Sequence, residues 1–220
     1  MSVPGKFAFG KLDFLPKFDR KECTIMNRTA CKTRVTKETD IEIQIDLDGC
    51  GDSNINTGIG FFDHMLEGFS KHGLFDLNIE VSGDIHVDAH HTVEDTGIVL
   101  GKAIAEALGD KYGIARFGYF ILPMDDALCL ASLDLSGRYC FSFDANLKAD
   151  RLGTMETEVV KEFFAGLASG AGMNLHIKQL SGENTHHIVE AMFKATAKAL
   201  DMATRLDERI DGVLSTKGML

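Results

Sequence analysis

The chain has 220 residues, of which 45% are apolar and 25% charged, a composition typical of a globular protein with its own core. A formal net charge of −10 argues against a general nucleic-acid-binding protein, because such proteins neutralise phosphates with clustered Lys and Arg. No stretch approaches the roughly 18 apolar residues of a membrane span, and the five cysteines include no CxxC pair that would suggest a thiolate metal site. We expect a protein of the reducing cytoplasm, without membrane or nucleic-acid partners.

The first part of the chain predicts a strand, a helix, a strand and a helix, in that order. Residues 39–49 alternate apolar and polar side chains, as a half-buried strand does, and residues 59–73 have helical periodicity. Residues 74–83 again have the pattern of a strand, and residues 91–109 that of a helix.

The second part of the chain repeats this order, with predicted elements at residues 127–137, 155–170, 173–182 and 186–201. Three blocks align without gaps: IDLDG (45–49) with LDLSG (133–137), HMLEGF (64–69) with EFFAGL (162–167), and HHTVE (90–94) with HHIVE (186–190). Three aligned blocks in the same order predict an internal duplication. With two copies only, this is a pseudo-symmetric pair of α/β units and not a solenoid.

The doubled HHxxE motif predicts metal binding. His90 and Glu94 are four residues apart, so on a helix they share one face and can bind one ion. His91 lies about 100° further around the helix axis, which suits a second ion better. A single HHxxE is common on surface helices, but two copies in a duplicated frame indicate two half-sites that together complete two metal centres.

Further ligands follow from the alignment, which places His64 opposite Glu162, two residue types that both bind divalent ions. The predicted ligand set comprises His64, His90, His91, Glu94, Glu162, His186, His187 and Glu190. Imidazole and carboxylate without thiolate suit Mn, Fe, Co or Zn, and the donor types alone do not choose among them.

Five segments resemble the imidazoleglycerol-phosphate dehydratase family: FFDHML, DAHHTVEDTGIVLGKAI, PMDDALCLASLDLSGR, NLHIKQLSGENTHHIVEAMFKA and STKG. The likeness runs from about residue 24 to the C-terminus. It implies an α/β (α+β) fold like the second domain of ribosomal protein S5, with helices between two four-stranded sheets. The halves would span residues 24–115 and 116–220, after an extension at residues 1–23. The resemblance also implies a homo-oligomer of 24 subunits, with active sites at subunit contacts.

The resemblance further implies a carbon–oxygen lyase of histidine biosynthesis that uses two Mn²⁺ ions per active site. Its reaction converts imidazole glycerol phosphate, a small phosphate ester, into imidazole acetol phosphate and water. The proton to be removed lies on a carbon next to the imidazole ring, without a carbonyl to acidify it. An ion on each ring nitrogen would favour the imidazolate and lead to a diazafulvene-like intermediate. Two ions on one ring would explain the two HHxxE motifs.

Roles for other residues follow from motif position. The resemblance implies Glu38 as the acid/base group, and the repeat gives its counterpart Asp126 as second choice. Without the resemblance, Glu38 would be interpreted as an exposed carboxylate at the end of a strand. Glu162 stands where many relatives have His, which favours harder ions such as Mn²⁺. The substrate- and phosphate-binding residues would be His72, Arg116, Arg138, Lys194, Ser215, Thr216 and Lys217.

Two other functions remain open from the residues themselves. A binuclear metallohydrolase could use the same His and Glu ligands to activate water, and it would not need Glu38. A non-catalytic shell protein could use the clusters only to join its subunits, and it would tolerate changes at Glu38, Arg116 and Lys194.

Overall fold

The computed structural model describes residues 28–219, so the predicted extension at residues 1–23 lies outside the described residues. The elements of the first half are the strands β1 (Thr29–Val35), β2 (Thr39–Asp46), β3 (Ser53–Asn56) and β4 (Asp76–Gly83) and the helices α1 (Gly60–Gly73) and α2 (His90–Leu108). Its strands form one sheet in the order β1-β2-β4-β3. Along β2, Ile41, Ile43 and Ile45 point into the core, and the polar residues between them face outwards.

The second half repeats this architecture. Its elements are the strands β5 (Phe117–Met124), β6 (Ala127–Asp134), β7 (Cys140–Asp144), β8 (Arg151–Leu152), β9 (Met155–Glu156) and β10 (Asn174–Ser181) and the helices α3 (Val159–Ala171) and α4 (Thr185–Thr204). The main sheet has the order β5-β6-β10-β7, and β8 and β9 form a separate small hairpin.

Strand pairing is the same in both halves. The first three strands of each sheet are antiparallel neighbours, and the fourth strand is parallel to the third. Thr29 pairs with Asp46 in the first sheet, as Phe117 pairs with Asp134 at the corresponding place in the second. The predicted fold class and its internal duplication are therefore confirmed, whereas the division of the chain between residues 115 and 116 stays a prediction.

The helices fill the space between the two sheets. Helix α2 packs on β1 and β2, helix α4 packs on β5 and β6, and α3 lies along α2. Buried aromatic rings pack in this layer: Phe163 of α3 and Phe193 of α4 are stacked with ring centroids 4.9 Å apart, and Phe62 of α1 joins the two halves by an edge contact with Phe163. Within residues 28–219, each helix is too short or too polar to cross a bilayer.

One predicted helix begins later than expected. Residues 155–170 were predicted as helical, but α3 begins at Val159, because Met155 and Glu156 pair with Leu152 and Arg151 in the β8–β9 hairpin. The strands β1, β3, β5 and β7 lie at sheet edges, and their sequences did not predict strands. One face of each is covered only in part, so the apolar alternation that marks a strand is weak there.

Glycines allow α2 and α3 to approach closely. A Cβ atom at Gly166 would lie 2.7 Å from the carbonyl oxygen of Glu94, closer than real Cβ contacts come. Gly97, Gly101 and Gly170 likewise face the backbone of the opposite helix. The pseudo-equivalent of Gly166 is Gly68 in α1, where a Cβ would meet nothing within 4 Å. The two helix pairs are thus packed differently, although their positions in the fold correspond.

These two glycines provide a matched pair of substitutions. We expect Gly166→Ala to lower the free energy of unfolding by about 2 kcal/mol, because the added methyl group forces α2 and α3 apart. Gly68→Ala also replaces a glycine that weakens its helix, but the added methyl group meets open space. This variant should therefore raise the free energy of unfolding by about 0.5 kcal/mol. Urea unfolding of both variants tests this. Equal effects at the two positions would show that the α2–α3 contact does not depend on glycine.

Candidate metal centre and substrate site

Three predicted ligands meet in one cluster. His64 from α1 and His186 and Glu190 from α4 each offer a donor atom, and these atoms all lie within 4.8 Å of one another. Nε2 of His186 is 3.3 Å from Oε2 of Glu190, one helical turn further along α4. An edge contact from Phe61 holds the ring of His186, with centroids 5.1 Å apart. Two imidazoles and one carboxylate form a donor set that suits a divalent first-row metal.

Local structure explains why α4 presents these groups. Asn184 precedes the helix, and its side-chain oxygen accepts hydrogen bonds from the backbone N–H groups of His186 and His187, an N-cap that fixes the first turn. Glu190 is buried, and its second carboxylate oxygen lies 2.6 Å from Nζ of Lys194. Burial raises the pKa of Glu190, but Lys194 and the two nearby histidines outweigh this and hold the pKa below its ordinary value. Glu190 is therefore a carboxylate at neutral pH.

The motif of the first half forms a smaller group. Nε2 of His90 lies 3.5 Å from Oε2 of Glu94, as the spacing on a helix predicts. Glu162, the expected counterpart of His64, is not brought into a three-residue donor cluster with them among the described residues. It lies instead at a surface depression beside Phe143 and Lys161. The different packing of α1–α4 and α2–α3 explains why corresponding positions do not have corresponding neighbours.

The second histidine of each motif is oriented by an aspartate. Nδ1 of His91 lies 3.0 Å from a carboxylate oxygen of Asp84, and Nδ1 of His187 lies 2.7 Å from Oδ1 of Asp126. Each imidazole thus donates its Nδ1 proton to a carboxylate, which leaves the Nε2 lone pair available to a metal. The hydrogen bond to Asp84 raises the pKa of His91; burial opposes this rise, and the negative charge of Glu38 adds to it.

The two halves differ in which residue performs this task. In the second half, Asp126 lies in the turn between β5 and β6, at the place that Glu38 occupies between β1 and β2. Oδ2 of Asp126 also accepts the backbone N–H groups of Glu183 and Asn184. These backbone bonds and the bond to His187 hold the pKa of Asp126 well below its usual range. Such a carboxylate is suited to orienting His187, and it is a poor acceptor for a substrate proton.

Glu38 is left free in the first half because Asp84, in the connection between β4 and α2, binds His91 in its place. The carbonyl oxygen of Glu38 accepts the backbone N–H of Asp84 at 3.0 Å, so the two residues are held side by side. Within residues 28–219, the Glu38 carboxylate makes no hydrogen bond or ion pair, and the residue is exposed next to His91. Asp84 was not predicted from the sequence, although an Asp six residues before an HHxxE motif was a visible candidate.

The predicted phosphate-binding residues divide into two groups. A surface cavity of about 640 Å³ is lined by Arg116, Arg138, Ser215, Thr216 and Lys217. Lys194 lies instead at the His64–His186–Glu190 cluster, where it pairs with Glu190, and the charges of Lys194 and Glu190 also act on the imidazole of His72. Burial lowers the pKa of His72, and the positive charges of Lys194 and Lys198 lower it further.

Arg116 connects several parts of the cavity. Its Nε and one terminal nitrogen donate to the two carboxylate oxygens of Asp134 at 2.7 and 3.0 Å, and its other terminal nitrogen donates to the Leu214 carbonyl. Its backbone adopts the left-handed conformation, with φ 68°. The corresponding residue of the first half is Arg28, which forms a similar two-bond pair with Asp48. The correspondence of Arg28 with Arg116 was not predicted from the sequence, although both arginines immediately precede the first strand of their half.

The cavity and the cluster lie at opposite ends of α4. The backbone N–H of Arg116 donates to the carbonyl of Ala203 near the C-terminus of the helix, whereas His186 lies in its first turn. A helix of 20 residues is about 30 Å long, so these two points are about 25 Å apart.

Comparisons with known proteins agree on one family. The family model described as "Imidazoleglycerol-phosphate dehydratase" matches residues 57–200. An imidazoleglycerol-phosphate dehydratase of Lachnoclostridium phytofermentans is 62% identical over 193 residues, which are 88% of this chain and 98% of that protein. The enzyme of Acetivibrio thermocellus is 61% identical over 195 residues, 89% of this chain and 100% of its own.

Solved structures give the same result. The crystal structure of imidazoleglycerol-phosphate dehydratase from Staphylococcus aureus matches with a TM-score of 0.74 and 40% identity, covering 81% of this chain and 99% of that chain. The structure of the Pyrococcus furiosus protein matches with a TM-score of 0.75 and 43% identity, covering 86% of this chain and 100% of that chain.

Proposed function

The chain belongs to the imidazoleglycerol-phosphate dehydratase family, and from this premise we propose which of its residues bind metal, substrate and the transferred proton. The activity is that of a dehydratase, a carbon–oxygen lyase of histidine biosynthesis that converts imidazole glycerol phosphate into imidazole acetol phosphate and water. The alternatives of a metallohydrolase and of a non-catalytic shell receive no support from these relatives.

We propose that the enzyme uses two Mn²⁺ ions per active site. The single observation that carries metal binding is the convergence of His64, His186 and Glu190, whose donor atoms are near enough to share one of the two ions. The donor set fits such an ion, since it combines imidazole with a carboxylate that is charged at neutral pH. The remaining ligands would be His90, His91, Glu94, Glu162 and His187. When bound, the ions supply Lewis-acid stabilisation of the negative charge that develops on the imidazole ring.

The proton transfer is assigned to Glu38. Its carboxylate is free, whereas Asp126 at the corresponding turn is occupied by His187 and two backbone N–H groups. Glu38 takes the proton from the carbon next to the ring, the C–O bond of the neighbouring carbon breaks, and Glu38 returns this proton to the departing hydroxyl group, which leaves as water. The enol that remains tautomerises to the ketone.

We propose that each active site is shared between subunits of a homo-oligomer, and that the assembly has 24 subunits. Each covalent bond adds at most about 1.5 Å, so the substrate reaches no more than roughly 10 Å from its ring to its phosphate. Within a single chain, the His64 cluster and the Arg116 cavity are about 25 Å apart. One substrate therefore contacts both only if the two groups come from different chains.

We also propose a cytoplasmic location, which the free thiols of the exposed Cys31 and Cys50 support.

Metal removal and replacement tests this function. We expect chelator-treated protein to lose both turnover and subunit assembly, and added Mn²⁺ to restore both. Conversion of imidazole glycerol phosphate to the ketone and sedimentation of the assembled protein would be followed in the same samples. Turnover that survives complete metal removal would overturn the metal mechanism. Assembly restored by Mn²⁺ without any turnover would contradict the assigned active site.

A further inference from the structure

A set of three polar residues, Arg34, Thr39 and Asp95, connects the turn that carries Glu38 with the helix that carries the first HHxxE motif, and is called the polar group below. Oγ1 of Thr39, at the start of β2, donates to Oδ2 of Asp95 in α2 at 2.6 Å. Arg34 in β1 forms an ion pair with the same carboxylate and lies 3.2 Å from Oγ1 of Thr39. Asp95 is 7% exposed and Thr39 is 3% exposed, so water contributes little to this contact.

The turn itself is fixed by a second set of bonds that begins at Thr39. Oγ1 of Thr36 accepts the backbone N–H groups of Glu38 and Thr39 at 3.1 and 2.9 Å, and it lies 3.2 Å from Oγ1 of Thr39. The backbone N–H of Thr36 donates to the carbonyl of Thr39 at 2.8 Å and closes the turn. Asp95 directly follows Glu94 in α2. A short path of hydrogen bonds thus runs from the turn that carries Glu38 to a predicted metal ligand.

The second half of the chain shows that the fold does not need this polar group. The strand register places Leu122 at the position of Arg34 and Ala127 at the position of Thr39. The alignment of the HHxxE motifs places Ala191 at the position of Asp95. All three are apolar, and the second half builds the same turn, strand and helix with them. The polar group occurs where the neighbouring turn carries the free Glu38, and it is absent where that turn carries Asp126, which His187 and two backbone N–H groups already hold.

We infer that Asp95, with Arg34 and Thr39, is a positioning residue that holds Glu38 at a fixed distance from the metal ligands of α2. This inference rests on the proposed role of Glu38. A carboxylate without hydrogen bonds of its own is located only by its backbone, so the rigidity of the turn sets where the proton acceptor lies. In the second half, His187 and the backbone N–H groups locate the Asp126 side chain directly, and apolar packing below the turn is sufficient.

Two substitutions of Thr39 separate positioning from folding. Thr39→Val keeps the shape and removes the hydroxyl group that binds Asp95, whereas Thr39→Ser keeps the hydroxyl group. In the Mn²⁺-loaded assembled enzyme, we expect Thr39→Val to lower kcat about 10- to 100-fold with KM changed less than about 3-fold. Thr39→Ser should restore most of kcat, and Asp95→Asn should resemble Thr39→Val. Bound Mn²⁺ and assembly should be unchanged in all three variants.

The matched control is Thr196→Val in α4. Thr196 is fully buried, and its hydroxyl oxygen has no hydrogen-bond partner within the described part of the chain. Its replacement by Val should leave kcat unaltered, which shows that loss of a buried threonine hydroxyl does not by itself impair the enzyme.

A double-mutant cycle with Glu38→Gln tests whether the group acts through Glu38. We expect Asp95→Asn to lower kcat in the wild-type background and to have little further effect in the Glu38→Gln background. An equal loss in both backgrounds, or a kcat that Asp95→Asn and Thr39→Val leave unchanged, would overturn the inference. Failure of the proposed function looks different, because the wild-type Mn²⁺-loaded chain would then show no turnover.

Discussion

Glu38→Gln is expected to lower kcat by about 10³-fold, which is the typical contribution of a positioned acid/base group. The amide has nearly the same shape as the carboxylate but does not accept a proton. Since Glu38 is exposed and makes no side-chain hydrogen bond or ion pair within residues 28–219, its replacement should leave the fold unaffected. Steady-state kinetics with imidazole glycerol phosphate, together with the bound metal content and the sedimentation of the variant, would measure these effects.

Two controls complete this experiment. Glu42→Gln changes an exposed glutamate of the neighbouring strand β2, whose carboxylate accepts a hydrogen bond from Gln44, and it should leave kcat unaltered. Asp126→Asn should instead weaken metal binding, because Asp126 orients His187. If Glu38→Gln retained activity and Asp126→Asn lost it with full metal content, the assignments of the two turn residues would have to be exchanged.

Two variants that are inactive alone are expected to recover activity when they assemble together. His186→Ala removes a ligand from the donor cluster, and Lys217→Ala removes a cation from the Arg116 cavity about 25 Å away. If each active site takes its metal ligands from one chain and its phosphate ligands from another, some mixed sites contain neither substitution. Random mixing of equal amounts gives about a quarter of the sites intact, in a closed symmetric assembly.

The variants would be dissociated, mixed and reassembled before turnover is measured. The control is each single variant carried alone through the same dissociation and reassembly, which distinguishes real complementation from activation by reassembly. Mixtures of the two single variants that remain inactive, although sedimentation shows mixed assemblies, would mean that one chain supplies the complete site. The subunit arrangement proposed above would then be wrong.

The sequence predicted the parts of the fold that have strong periodic signals. Both HHxxE motifs lie at the first turns of α2 and α4, because the spacing of His and Glu coincides with a helical face. The central strands β2, β4, β6 and β10 were predicted because each has a face with alternating buried apolar residues. Their edge neighbours were not, because an edge strand such as β1 has a partly exposed inner face and little hydrophobic contrast.

Functional residues were predicted less evenly, for a physical reason. A ligand pair four residues apart on a helix is visible in sequence, because local geometry brings the two side chains together. The contacts of Asp84 with His91 and of Asp95 with Thr39 join distant segments, and only the fold brings these residues together. Glu162 shows that positions aligned within the repeat need not have the same neighbours in the fold. Alignment within the repeat gave it the role of His64, and this stays a prediction, since within one chain Glu162 is not part of a three-residue donor cluster among the described residues.

The unequal turns of the two halves also bear on how such a chain can evolve. A symmetric pair of identical half-length chains would carry the same residue in both turns, so that residue could not be reserved for proton transfer in one copy and for holding a histidine in the other. Joining the copies in one polypeptide removes this restriction, since each can change separately. Asp84 and Asp126 hold equivalent histidines from different places in the fold. Fusion thus permits a division of labour between Glu38 and Asp126 that exact symmetry forbids.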